Sequence, residues 1–197
     1  MVKIFIFITL ETLIFTGFML KCTILGITVC ATLYISSAFA QVPVEEKESQ
    51  NFIAQLLSSD EIEIALKLHN EARRECGVEL LEWSEELSQY AREWANELAK
   101  RGCRFFHRPN NPYGENLFTG TEGYYTIADA VKAWLSEKSL FERDPSTHNS
   151  FRGVGHYTQI VWRNTKYVGG AKVFCNGQMI VVFNYDPPGN YIGQKPY

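Results

Sequence analysis

The chain has 197 residues, of which 46% are hydrophobic, with 19 lysines and arginines against 22 aspartates and glutamates, for a formal net charge of −3. This mildly acidic balance, with no basic run, leaves no electrostatic footprint for nucleic acid and excludes that class of partner. The length suits one domain, large enough to bury a real core without help from disulfides or metals.

Two apolar runs, residues 2–20 and 22–40, open the chain, separated only by Lys21. The second ends in Ser36-Ser37-Ala38-Phe39-Ala40-Gln41, an A-x-A-like cleavage site, so residues 1–40 read as a signal peptide and Gln41 as the mature start. Met19-Leu20-Lys21 and the run that follows already make a well-proportioned signal, which points to Met19 as the true translation start. Glu11 in the middle of the first run would be costly in a bilayer, so the mature form is expected not to span a membrane. The expected location is secreted: extracellular or periplasmic. Loss of the leader takes the net charge to about −4. It also leaves Cys76, Cys103 and Cys175, an odd number, so at least one stays unpaired or pairs between chains.

Residues 41–58, rich in Glu, Gln and Ser, read as a flexible leader ahead of a domain over 59–197. Asp60 with Glu63 resembles a capping box opening a first helix, with Ile64, Leu68 and Ala72 as its apolar stripe and Gly77 at its end. Ser84 caps a second helix whose apolar face carries Leu87, Tyr90, Ala91, Trp94, Ala95 and Leu98. Residues 103–125 lack periodicity and read as an irregular loop. A third helix is predicted over 126–139, then a polar loop over 142–155. Strands follow over 156–163, 168–174 and 179–185, the last two joined by the tight-turn signal Asn176-Gly177. Helices followed by antiparallel strands predict an α+β domain. The four tryptophans fit core positions, His69 a packing or helix-anchoring role, and His148 a solvated loop.

Four stretches carry the chemistry: Tyr113-Gly114-Glu115-Asn116-Leu117, Trp134-Leu135-Ser136-Glu137, Gly155-His156-Tyr157-Thr158-Gln159-Ile160-Val161-Trp162, and Asn184-Tyr185-Asp186-Pro187-Pro188-Gly189-Asn190-Tyr191. In this order they resemble the CAP superfamily (cysteine-rich secretory proteins, antigen 5 and pathogenesis-related group-one proteins), over about Asp60 to Tyr197. The resemblance implies a three-layer α-β-α sandwich with a central antiparallel sheet. It also implies one cleft holding His107, Glu115, Glu137 and His156, with Asn116, Tyr157 and Gln159 as hydrogen-bonding support. Two imidazoles and two carboxylates can bind zinc or another divalent ion weakly, or form a hydrogen-bonded network that needs no metal. Plant relatives carry six cysteines, and Gly170 and Phe183 stand where two of them would fall. The relaxed cysteine pattern and the plain signal peptide lean toward a bacterial source.

For function, the resemblance implies a secreted, non-enzymatic binding module whose partner is a small apolar ligand (sterol or fatty acid), a glycan or another protein. Phe118, Tyr124 and Tyr125, on a glycine-bearing segment expected to be mobile, are the candidate lipid contacts. The alternative is a metal-dependent hydrolase or protease using the His/Glu tetrad, and any catalytic role would then fall to Glu115 or Glu137. No H-E-x-x-H pattern is present, and Thr119 and Thr121 stand where some relatives carry a serine, so no specific nucleophile is named.

Overall fold

The computed structural model describes residues 52–197. The expected cleavage after residue 40, the start at Met19 and the leader as far as residue 51 lie outside the described residues. In chain order the elements are β1 (Gln55–Leu56), α1 (Ser59–Glu75), β2 (Glu82–Trp83), α2 (Glu85–Lys100), β3 (Gly114–Thr121), α3 (Ile127–Leu135), α4 (Lys138–Arg143), α5 (Thr147–Ser150), α6 (Gly155–Ile160), β4 (Tyr167–Cys175) and β5 (Gln178–Asp186).

Strand β5 is the spine of the sheet. It pairs antiparallel with β4 on one side and with β3 on the other, while β1 and β2 line the far edge of β4. Its residues alternate between two cores, as a pleated strand must. Met179, Val181, Phe183 and Tyr185 enter one core with α1, α3 and α6, whereas Ile180 and Val182 enter the other with α2. The result is the three-layer sandwich. The β4–β5 turn takes positive φ at Asn176 (51°) and Gly177 (72°), the two-residue hairpin that the Asn-Gly pair predicts.

Several expectations are corrected by tertiary context. The capping box of α1 is Ser58 with Glu61, not Asp60 with Glu63. The end of the expected leader belongs to the domain, because β1 pairs with β4 and both Ala54 and Leu57 are buried. The expected loop over 103–125 contains β3, whose Gly, Glu and Asn residues have little strand propensity and are held by pairing along β5. The expected third helix breaks at Ser136, giving α3 and α4. Residues 156–163 do not form a strand: α6 covers Gly155–Ile160. Every residue from Tyr157 to Trp162 is buried, so the segment shows no helical alternation of apolar and polar positions. His148 is not merely solvated; its Nε2 lies 2.9 Å from the Phe141 carbonyl and its ring packs on Phe141. Trp94, Trp134 and Trp162 are core, and Trp83 is partly buried.

Cys103 and Cys175 form a disulfide, which ties the loop after α2 to the end of β4, and Cys76 is free. Gly170 and Phe183 are cross-strand partners, and a Cβ at residue 170 would lie 2.6 Å from the Phe183 ring. An aromatic plug therefore fills that position, packed against His69, Trp83 and Trp134.

Candidate functional site

Two His–Glu pairs meet at the end of the sheet where β3, α6 and the loops after α2 and α3 come together. His107 Nδ1–H donates to Glu115 Oε1 at 2.7 Å, and His156 Nδ1–H donates to Glu137 Oε1 at 2.6 Å. Because a carboxylate only accepts, each contact places the imidazole proton on Nδ1 in the neutral ring and leaves Nε2 as an open acceptor. Neither Nε2 has a hydrogen-bond partner among the described residues. The four side chains line one cleft of about 240 Å³ together with Asn116, Asn190, Gly153 and Gly155. A larger hollow of about 380 Å³ lies between Trp162, Arg163, Lys195 and Tyr197, whereas the two imidazoles and two carboxylates gather in the smaller one.

The glutamates are anchors as well as partners. Glu115, its side chain only 4% exposed, accepts on Oε1 from His107 Nδ1 and the Arg108 amide, and on Oε2 from Asn111 Nδ2. Glu137 accepts on Oε1 from His156 Nδ1, and on Oε2 from the amides of His156 and Tyr157. Those two amides are unsatisfied donors at the N-terminus of α6, so Glu137 supplies the acceptor this short helix needs. Each carboxylate thus serves three donors.

The supporting residues divide by role. Asn116 donates from Nδ2 to the His156 carbonyl and to Tyr185 Oη, each at 3.1 Å. The Tyr157 side chain points away from the cleft toward Cys76 and Tyr197, and only its amide touches the tetrad. Gln159 does not contact the tetrad. It accepts from the Gly189 amide and donates to Thr165, strapping the Pro187-Pro188-Gly189 loop onto α6. Gly114 must stay small, because a Cβ there would lie 2.1 Å from Gln159 Oε1. The ring of His156 also stacks on Trp134 at 6.1 Å. Phe118 lies within β3 and packs edge-on against Tyr125, while Tyr124 is 83% exposed. The segment expected to be mobile is therefore half strand.

Two residues that support the site were missed or underread. Arg73, fully buried, donates to the carbonyls of Glu79, Ile160, Trp162 and Thr165. It holds the C-terminal end of α6 as Glu137 holds the other. His69 accepts or donates on both ring nitrogens, to the Ala65 carbonyl and Tyr185 Oη. The shared signal is a polar residue on the inward face of an amphipathic helix.

Residues 66–185 match the profile of the Cysteine-rich secretory protein family, CAP. The chain belongs to the CAP family. Its CAP domain is 45% identical over 133 residues to Pathogenesis-related protein 1A of Nicotiana tabacum, covering 67% of this chain and 78% of that protein. It is 44% identical over 146 residues to Pathogenesis-related protein 1 of Arabidopsis thaliana, covering 74% and 88%. Both are plant proteins and lend nothing to a bacterial source. The crystal structure of NaASP2 with Zn2+ superposes with a TM-score of 0.58 at 26% identity, covering 72% of this chain and 86% of that one. Among the described residues of the CAP domain, no helix is long and apolar enough to cross a membrane.

Proposed function

We propose that this CAP protein is an exported, non-enzymatic binding module whose His/Glu cleft takes a divalent cation weakly and reversibly. One observation carries the reading: each carboxylate already accepts from three donors, whereas both imidazole Nε2 atoms are open. A hydrolase using either glutamate as its base would need that carboxylate free, and freeing it would release a backbone amide that fixes the cleft. In metal sites, a carboxylate on one imidazole nitrogen orients the other toward the ion, which is the arrangement these pairs have. His107 and His156 would hold the ion, and an ion there supplies positive charge to attract a ligand. Among the described residues, no three His, Cys, Asp or Glu side chains converge on one point, which suits weak binding with a largely retained water shell. The zinc-bound relative supports the choice of metal. The disulfide supports export, since such bonds persist in oxidising compartments.

Calorimetric titration with zinc at neutral pH is expected to show one site, absent from the His107→Ala/His156→Ala double variant. Affinity falls on acidification, because the imidazoles must be neutral to coordinate. Equal binding by the variant would move the ion elsewhere. Absence of binding by both proteins would leave the metal-free network.

A second reading, an apolar ligand of the sterol or acyl class, is favoured by the exposure of Tyr124 (83%) beside the half-exposed Tyr125. Covering one aromatic ring fully is worth about 1.5–3 kcal/mol. Tyr124→Ser is therefore expected to weaken capture of a fluorescent sterol or fatty acid about tenfold or more without changing Tm. Tyr125→Ser, which loses its packing on Phe118, is expected to cost about 1 kcal/mol of stability. Unchanged capture by Tyr124→Ser would remove the lipid reading.

A further inference from the structure

A buried hydrogen-bond chain runs from α1 to the cleft floor, and its polarity follows from the chemistry of its ends. His69 Nδ1 lies 2.7 Å from the Ala65 carbonyl, which only accepts, so Nδ1 carries the proton and Nε2 is a bare acceptor. Tyr185 Oη, 2.9 Å from that Nε2, must therefore donate to it. The Tyr185 oxygen then accepts from Asn116 Nδ2, whose second hydrogen goes to the His156 carbonyl. The carbonyl end of the Asn116 amide is left over. His69, Asn116 and Tyr185 are all essentially fully buried, so the chain is closed to water except at the cleft that Asn116 lines. Burial pushes His69 down to about 4 and holds the Tyr185 phenol well above its usual range, so both keep these proton positions at neutral pH.

Asn116 Oδ1 has no hydrogen-bond partner among the described residues, yet it is not one of the buried polar atoms sealed off without one. It is the end of the amide that opens onto the cleft. Nε2 of His107 and Nε2 of His156 are open acceptors in the same cleft. Three open acceptors in one cleft suit a cation or a hydrogen-bond donor.

We propose that Asn116 Oδ1 is a third acceptor of the cleft, receiving hydrogen from the water shell of a divalent cation held by His107 and His156, and that Tyr185 and His69 are positioning residues that fix which end of the amide faces it. This rests on the cation reading above. The energetic logic is that the chain leaves the amide one orientation. A flip would set Oδ1 against the His156 carbonyl and strand a buried acceptor.

The test is zinc titration of the purified protein, followed by NMR on the Asn116 side-chain Cγ and by calorimetry. Zinc is expected to shift the wild-type Cγ resonance downfield, as a carbonyl gaining a hydrogen bond does. Tyr185→Phe, which keeps the ring and removes one link, is expected to bind zinc about fivefold more weakly, with a smaller Cγ shift. A purely structural role for Asn116 would leave Cγ unmoved at saturating zinc, and that result overturns the proposal while the two-histidine site stands. If the wild-type protein binds no zinc, the cation reading falls and this proposal with it. Should Tyr185→Phe fail to fold, the wild-type Cγ shift decides alone.

Discussion

Replacing Arg73 with methionine is expected to destabilise the domain by about 3–5 kcal/mol, a large fraction of the stability of a domain this size. The guanidinium is buried against four carbonyl oxygens and has no carboxylate partner among the described residues. Burial lowers its pKa to about 10, still far enough above neutrality to keep it charged. Methionine fills part of the volume but leaves the carbonyls of Glu79, Ile160 and Thr165 without a donor, Ile160 at the end of the helix that carries His156, while Trp162 keeps the Thr165 amide. Arg73→Lys is expected to recover little, because one ammonium cannot span a planar fork of donors. Urea denaturation of the three proteins measures this. A loss within about 1 kcal/mol for the methionine variant would mean that water satisfies these carbonyls and that Arg73 is not what holds α6.

Acid is expected to remove about 3 kcal/mol of stability through His69 alone. Its folded pKa is about 4 against an ordinary value of 6.5, because burial excludes the charged form. The folded value is the lower one, so between those two pH values the unfolded chain binds more protons than the native protein. The contribution is therefore complete above pH 6.5 and lost progressively as pH falls toward 4. The Lys172 ion pair with Glu61, whose pKa is also lowered, adds loss of the same sign at the acid end. Unfolding free energies at neutral and at mildly acidic pH, compared between wild type and His69→Phe, isolate the histidine. The variant keeps the stack on Phe183 and should show a flatter pH profile through this window. A flat wild-type profile would show that His69 reaches solvent or gains a proton partner on folding.

What the sequence by itself determined is local and periodic. The second helix with its Ser84 cap, the two long apolar strands with their Asn-Gly turn, and the mixed helix–strand class all follow from patterns that neighbouring residues impose on each other. The ordered motifs determined the family, and with it the His107, Glu115, Glu137 and His156 set, whose irregular separations no periodicity could have joined. Tertiary structure decided the rest. The segment from His156 to Trp162 is rich in aromatic and β-branched residues and reads as a strand, yet it begins as a helix because Glu137 accepts its first amides and Arg73 donates to its last carbonyls. Both partners lie far away in the chain, so no local window contains them. Strand β3 is likewise poor in strand formers and exists because β5 offers it a ladder. The tautomers of the cleft histidines were equally beyond the sequence. They depend on which oxygen each Nδ1 faces, and that is fixed only when two loops, a helix end and an edge strand are folded against one another.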